Sequence, residues 1–276
     1  MYSYLEEVRG QLSYLVETLV FKADRMNCNI RIGVIAHGDY CDFQTSYTIK
    51  FLPLLDAADQ ANVDKIVRFV AEVGLTSGGD GPECYELALK TARNKMNWTK
   101  GSSRVLVMVG DSMPHEVGYT CNGYTNRIDW REELRALTAD GVRIYAVQAV
   151  GLSGSDAFWQ ALAQVSGGRC LQISKAAVLS DLVMAAACRE MGDEAYNELG
   201  RELLAYGRMC GQLAMVYAEI RTVTVTKRVA LAHTALVAGL LVNVASPSLR
   251  LACAYRLSTC YLTASTHVSC KATPAP

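Results

Sequence analysis

Neither sign of charge is in excess: 27 Lys and Arg balance 27 Asp and Glu, for a formal net charge of +0. That leaves no electrostatic case for nucleic acid or for an anionic membrane surface, both of which call for a basic patch. The ten cysteines are scattered and none stands in a CxxC pair, so the sequence offers no zinc-finger spacing. They are also too sparse for a disulfide-stapled scaffold and read as buried or free thiols in a reducing compartment. No secretion signal is read at the N-terminus, because Glu6, Glu7 and Arg9 stand where an apolar core would be needed. The expected location is therefore cytoplasmic. Catalytic signatures are missing as well. Ser112 lacks a GxSxG frame, the position four residues after His115 is Tyr119 rather than a second His, and no Gly-rich nucleotide loop with Lys, HRD-like loop or DFG occurs. Finally, the 49 residues from Arg228 to Pro276 contain no Asp or Glu.

What is present suits a globular protein, with 51% hydrophobic and 20% charged residues. Leu5, Val8, Leu12, Leu15, Val16 and Leu19 recur at three- and four-residue steps and predict an amphipathic helix over 2–23. NIRIGVIAH (29–37) reads as a strand ending in polar His37, Asp39 and Asp42, and 47–52 as a shorter edge strand. A helix over 62–73 leads to the Gly-rich loop 77–82 and a second helix over 83–96. RVLVMV (104–109) is a continuous apolar run, as in a strand covered on both faces. Helix 129–139, strand 142–149, helix 155–165, strand 169–173 and helix 176–190 follow. This alternation predicts an α/β fold with a doubly wound, mainly parallel sheet of Rossmann-like character.

Beyond residue 190 the character changes. Leu199, Leu203, Tyr206, Cys210, Leu213, Tyr217 and Ile220 form a heptad-like stripe. A helix packed on the sheet domain is favoured there over a partner-binding coiled coil. The apolar run 229–245 is shorter than the roughly 20 residues that span a bilayer and contains His233 and Asn243, so a membrane span is disfavoured. An atypical, irregular tail is expected from 228 to 276. It is either a buried or aggregation-prone segment or sequence never selected to fold, and the sequence leaves both open.

In doubly wound sheets ligands bind beyond the carboxyl ends of the strands. His37, Asp39, Asp80, Asp111 and His115 all fall at such positions, and oxygen ligands converging from separate loops suit Mg²⁺ or Ca²⁺. Each has a plainer reading: Asp80 as a turn residue, Asp111 as a helix N-cap, His115 as an exposed loop histidine, His37 and Asp39 as strand-end structure. Cys84, opening a helix after Pro82, is expected to be half-buried and inert.

The order of these elements, with the loops GDYCD (38–42), GGDGPE (78–83) and GDSMPHE (110–116), resembles a von Willebrand factor A domain. More narrowly, it looks like the A domains found beside alpha-type protein kinases. The resemblance spans residues 1 to about 190 and implies a metal-ion-dependent adhesion site, with Asp80 matching the second metal loop and Asp111 the third. The DxSxS-type first loop would precede the first helix, and no such motif stands there. The resemblance therefore implies a domain truncated before that helix, lacking its first, central strand and holding Mg²⁺ weakly. The domains expected are the truncated A-like domain (1–190), a helical extension (191–227) and the tail (228–276). The expected function is a protein-interaction module, not an enzyme, that takes a protein ligand through an acidic side chain on the metal. The alternatives are a regulatory fragment of an alpha-type protein serine/threonine kinase, or a hydrolase using Asp111 and His115.

Overall fold

A computed structural model describes residues 2–76, 80–149, 154–209, 211–223, 232–237 and 241–245. Helix α1 (Tyr2–Arg25) turns Val8, Leu12, Leu15, Val16 and Leu19 into the core, which is the stripe its spacing dictates. Strand β1 (Asn29–His37) pairs antiparallel with β2 (Ile49–Asp56), from Arg31↔Asp56 to His37↔Ile49. β2 stands at the sheet edge, where Pro53 can lack a ladder N–H. α2 (Gln60–Glu72) starts at Asp59, whose side chain accepts from the Ala61 N–H at 2.9 Å. α3 (Tyr85–Lys95), β3 (Ser103–Gly110), the small hairpin β4 (Thr120–Cys121) and β5 (Tyr124–Thr125), and α4 (Trp130–Ala139) follow. Then come β6 (Val142–Ala149), α5 (Asp156–Ser166), β7 (Arg169–Ile173), α6 (Leu179–Met191), α7 (Asp193–Ala205) and α8 (Gly211–Arg221).

The parallel neighbours β3, β6 and β7 carry helices on both faces, a mixed α/β, Rossmann-like arrangement. The period-two alternation of each strand divides the core. Val105, Val107, Val109, Tyr145 and Val147 face a layer containing α1, α2, α6, α7 and α8. Leu106, Met108, Ile144 and Ala146 face α3, α4 and α5. The continuous apolar run of β3 thus reflects two covered faces.

Two features depart from expectation. The heptad-like stripe is not one helix: it breaks after Ala205, where Gly207 takes a φ of +66°, and restarts at Gly211. Leu199, Leu203, Leu213 and Ile220 then join the same core as α1 and α6, packed on the sheet domain.

The larger correction is in the sheet itself. Strands β8 (Ala232–Val237) and β9 (Leu241–Ala245) lie between β1 and β3, in the order β2-β1-β8-β9-β3-β6-β7. β8 is parallel to β1 (Val34↔Leu236) and to β3 (Ser103↔Ala232 through Met108↔Val237). β9 runs antiparallel to β1, from Asn29↔Ala245 to Gly33↔Leu241. The expected gap is therefore filled, and it is filled from the tail. An apolar stretch without acids or caps fails to advertise periodicity, yet a strand between two others in a sheet needs none. Filling the gap also satisfies the backbone groups of β1 and β3 that would otherwise be buried without partners. Contacts group Met1–Ser246 as one compact unit. The rest of the expected tail, 228–231, 238–240 and 246–276, lies outside the described residues. No helix among the described residues is long and apolar enough to cross a membrane.

Candidate functional site at the carboxyl edge of the sheet

β1 and β3 both run parallel to β8, so the loops after them open at one edge, and the segment leading into α3 joins them there. Three backbone N–H groups fasten the loops together. The Glu83 N–H donates to the Met113 carbonyl at 2.9 Å, the Cys84 N–H to the Gly38 carbonyl at 3.3 Å, and the Asp111 N–H to the Tyr85 hydroxyl at 3.2 Å. Gly110 has to be glycine, since a Cβ there would collide with the Tyr85 hydroxyl and with Trp159. Beyond it, Trp159 Nε1 donates to the Ser112 carbonyl at 2.9 Å, and the buried Asn126 side chain donates to the Glu116 and Ile128 carbonyls.

Asp39 caps the 3-10 turn Tyr40–Gln44 in a reciprocal box with Asp42. The Tyr40 N–H donates to Asp39 Oδ1 at 2.6 Å, and Asp42 Oδ2 accepts the Asp39 N–H at 3.0 Å. His115 reaches the same Asp39 oxygen, with Nε2 2.6 Å away, and both side chains are fully buried. The sequence reading of His115 as an exposed loop histidine is thereby corrected: the chain folds it under Tyr119, whose ring stacks at 3.8 Å. Cys84 Sγ points at Asp39 Oδ1 from 3.9 Å. Ligand-capable atoms of Asp39, Cys84 and His115 all lie within 4.8 Å of one another. Asp39 Oδ2 and His115 Nδ1 are buried with no hydrogen-bond partner among the described residues, at a cost of about 1–3 kcal/mol each. Glu86 is buried alongside. It accepts from the Tyr40 hydroxyl at 2.7 Å and from the His115 N–H at 3.1 Å, and burial lifts its carboxyl to about 7.

Nearer the solvent stand the two residues singled out in the sequence. Asp80 is exposed and accepts the Tyr119 hydroxyl at 2.7 Å. Asp111 follows β3 and is half-buried. Both act on Glu83, whose carboxyl is raised to about 8 by burial first, then by Asp39, Asp111, Asp42 and Asp80. Closer ligand sets form differently: Asp80 groups with Asp39 and Cys41, while Asp111 joins no set of three among the described residues. A cavity of about 270 Å³ opens beside Asp111, with Glu83, His37, Thr76, Tyr85 and Leu5 in its wall. Burial pushes His37 down to about 4, so its ring is neutral at pH 7.

Two further sequence readings change here. Cys41 and Cys121 form a disulfide across 80 residues, with their Cα atoms 5.8 Å apart. Not all the cysteines are therefore free thiols. Spacing along the chain could not pair them, because the contact depends on how the 111–128 loop folds back over the turn after β1. Cys84 is fully buried rather than half-buried, and burial with Glu86 and Asp39 beside it drives its thiol well above the ordinary range, against the helix N-terminus. Asp111 and His115 do not pair: His115 is engaged by Asp39, and Glu116 turns outward to Arg131. No family model matches the chain, and no curated protein matches it.

Proposed function

We propose that this chain is a binding module of the von Willebrand factor A kind, which takes an acidic protein ligand through a divalent cation at this rim. Asp80, Asp111 and the intervening Glu83 would hold the ion, with Mg²⁺ the expected metal. The observation that carries the reading is the state of Glu83. Burial first, and then the carboxylates of Asp39, Asp111, Asp42 and Asp80, hold this half-buried carboxyl up to about 8, and the acids gathered here give the rim an excess of negative charge. A hard divalent cation relieves that excess and leaves coordination positions for a carboxylate brought by a partner. The loop sequence GGDGPE and the Asp after β3 support the same reading.

Binding to Mg²⁺ is expected to be weak. Asp80, Glu83 and Asp111 supply only part of the octahedron that Mg²⁺ requires. The test is a set of thermal melts with and without millimolar Mg²⁺. The full chain should gain stability by mass action, and Asp80→Asn with Asp111→Asn should abolish the gain while leaving the metal-free melt little changed. An equal gain in the double variant would refute the reading.

A further inference from the structure

Beneath the rim lies a second cluster of different chemistry, and we propose that it is a buried site for a zinc-class divalent ion, ligated by Asp39, Cys84 and His115. The three ligand-capable atoms already converge within 4.8 Å, with the side chains fully buried. They arrive from three separate segments: the turn after β1, the start of α3 and the loop after β3. Thiolate and imidazole ligands suit Zn²⁺ or Co²⁺, whereas Mg²⁺ demands oxygen ligands and retains its water. The site is thus independent of the Mg²⁺ rim in both ligands and metal preference.

Two observations besides the convergence point to a cation. Asp39 Oδ2 is a buried lone-pair atom, on a fully buried side chain, that no donor among the described residues satisfies. The surroundings are also one-sided in charge: Asp39, Asp42 and Glu86 are buried together, and the charges that act on Cys84 are all acidic, from Glu86, Asp39 and Glu83. A divalent ion answers both. On binding, Cys84 loses its thiol proton to solvent, and the proton that His115 Nε2 shares with Asp39 moves to Nδ1, which frees the Nε2 lone pair for the ion. One carboxylate and one thiolate then neutralise the ion, and the imidazole contributes no charge. Three protein ligands leave one tetrahedral position for water. The nearby Cys41 is disulfide-bonded and offers no thiolate, so the set containing Asp80 is not a rival for this metal.

The experiment uses the full chain, stripped with chelator and titrated with Co²⁺ alone. The expected result is one equivalent bound, with tetrahedral d–d bands and a sulfur-to-cobalt charge-transfer band of single-thiolate intensity, displaced by Zn²⁺. Cys84→Ser should remove the charge-transfer band and weaken binding by at least roughly 10–100-fold, and Asp64→Asn, on the exposed face of α2, should alter neither. Should Cys84→Ser fail to fold, zinc-edge X-ray absorption of the wild-type chain decides the matter: one sulfur and three nitrogen or oxygen ligands support the site. Absence of a thiolate band in the wild-type chain, or a band that persists in folded Cys84→Ser, would overturn it.

Discussion

The Asp39 carboxylate and the His115 imidazole meet at 2.6 Å with neither side chain exposed, although 76 positions separate them in the chain. The contact joins the turn after β1 to the loop after β3 beneath the exposed carboxylate rim. It also ties down the 111–128 loop: His115 is held by Asp39 and Glu86, and Asn126 holds the loop's own carbonyls.

Removing one partner of such a pair leaves the other buried and uncompensated. Asp39→Ala should therefore lower unfolding free energy by about 3–5 kcal/mol in metal-free buffer. Asp80→Ala, at an exposed position, should cost no more than about 0.5 kcal/mol. Urea unfolding of the two variants checks this, and comparable small losses would show that the buried pair contributes nothing to the fold.

The disulfide gives a second prediction. Closing a loop over 80 residues should stabilise the fold by about 4–5 kcal/mol in the chain-entropy model. Cys121→Ser or mild reduction should lower the melting temperature accordingly. Peptide mapping without reduction should recover Cys41 linked to Cys121. Finding both thiols free in oxidised, folded protein would contradict the geometry.

A third prediction tests the strand that fills the sheet. Leu236 pairs with Val34 of β1 and Val107 of β3, so its backbone lies inside the sheet. Proline there removes an N–H and cannot sit in a central strand, and Leu236→Pro should destabilise the domain by ~3 kcal/mol or more. Protease treatment of the native chain should likewise spare 232–245. Ready release of that segment with the remaining domain intact would place it outside the sheet.

How legible these features were depends on the kind of signal each residue leaves. The stripe of Leu12, Leu15 and Leu19 and the apolar run of β3 are local, so the α/β alternation and most element bounds follow from the sequence. Tail strands β8 and β9 leave no such trace, since an apolar segment without caps looks the same whether buried in a sheet or never folded. His115 and Asp39 stood out as polar residues at strand ends, but their pairing depends on the path of a loop with no periodicity. Cys84 could be placed at a helix start, whereas its neighbours Asp39 and Glu86 come within reach only through tertiary packing. Asp80 and Asp111 carried a loop pattern, and the pattern could not tell that the carboxyl of Glu83 between them would be strongly raised.

That perturbation sets the last prediction. Glu83 titrates near 4.5 in the unfolded chain and at about 8 in the fold, so between these values the folded protein holds a proton that the unfolded chain has released. Stability from this group is therefore fully present below pH 4.5, falls as pH rises, and is lost once pH passes 8. Glu83→Gln keeps the shape and removes the titration. The variant should melt close to wild type near pH 4.5 and clearly above it near pH 8.5, by ~2–4 °C for each kcal/mol of relief. Added Mg²⁺ should narrow that difference at high pH, because the cation offsets the same crowding of carboxylates that the amide removes. The measurement is a grid of melts over pH and Mg²⁺ for the two proteins. A difference between them that stays constant from pH 4.5 to 8.5 would mean that Glu83 ionises normally and that the rim has no excess of negative charge.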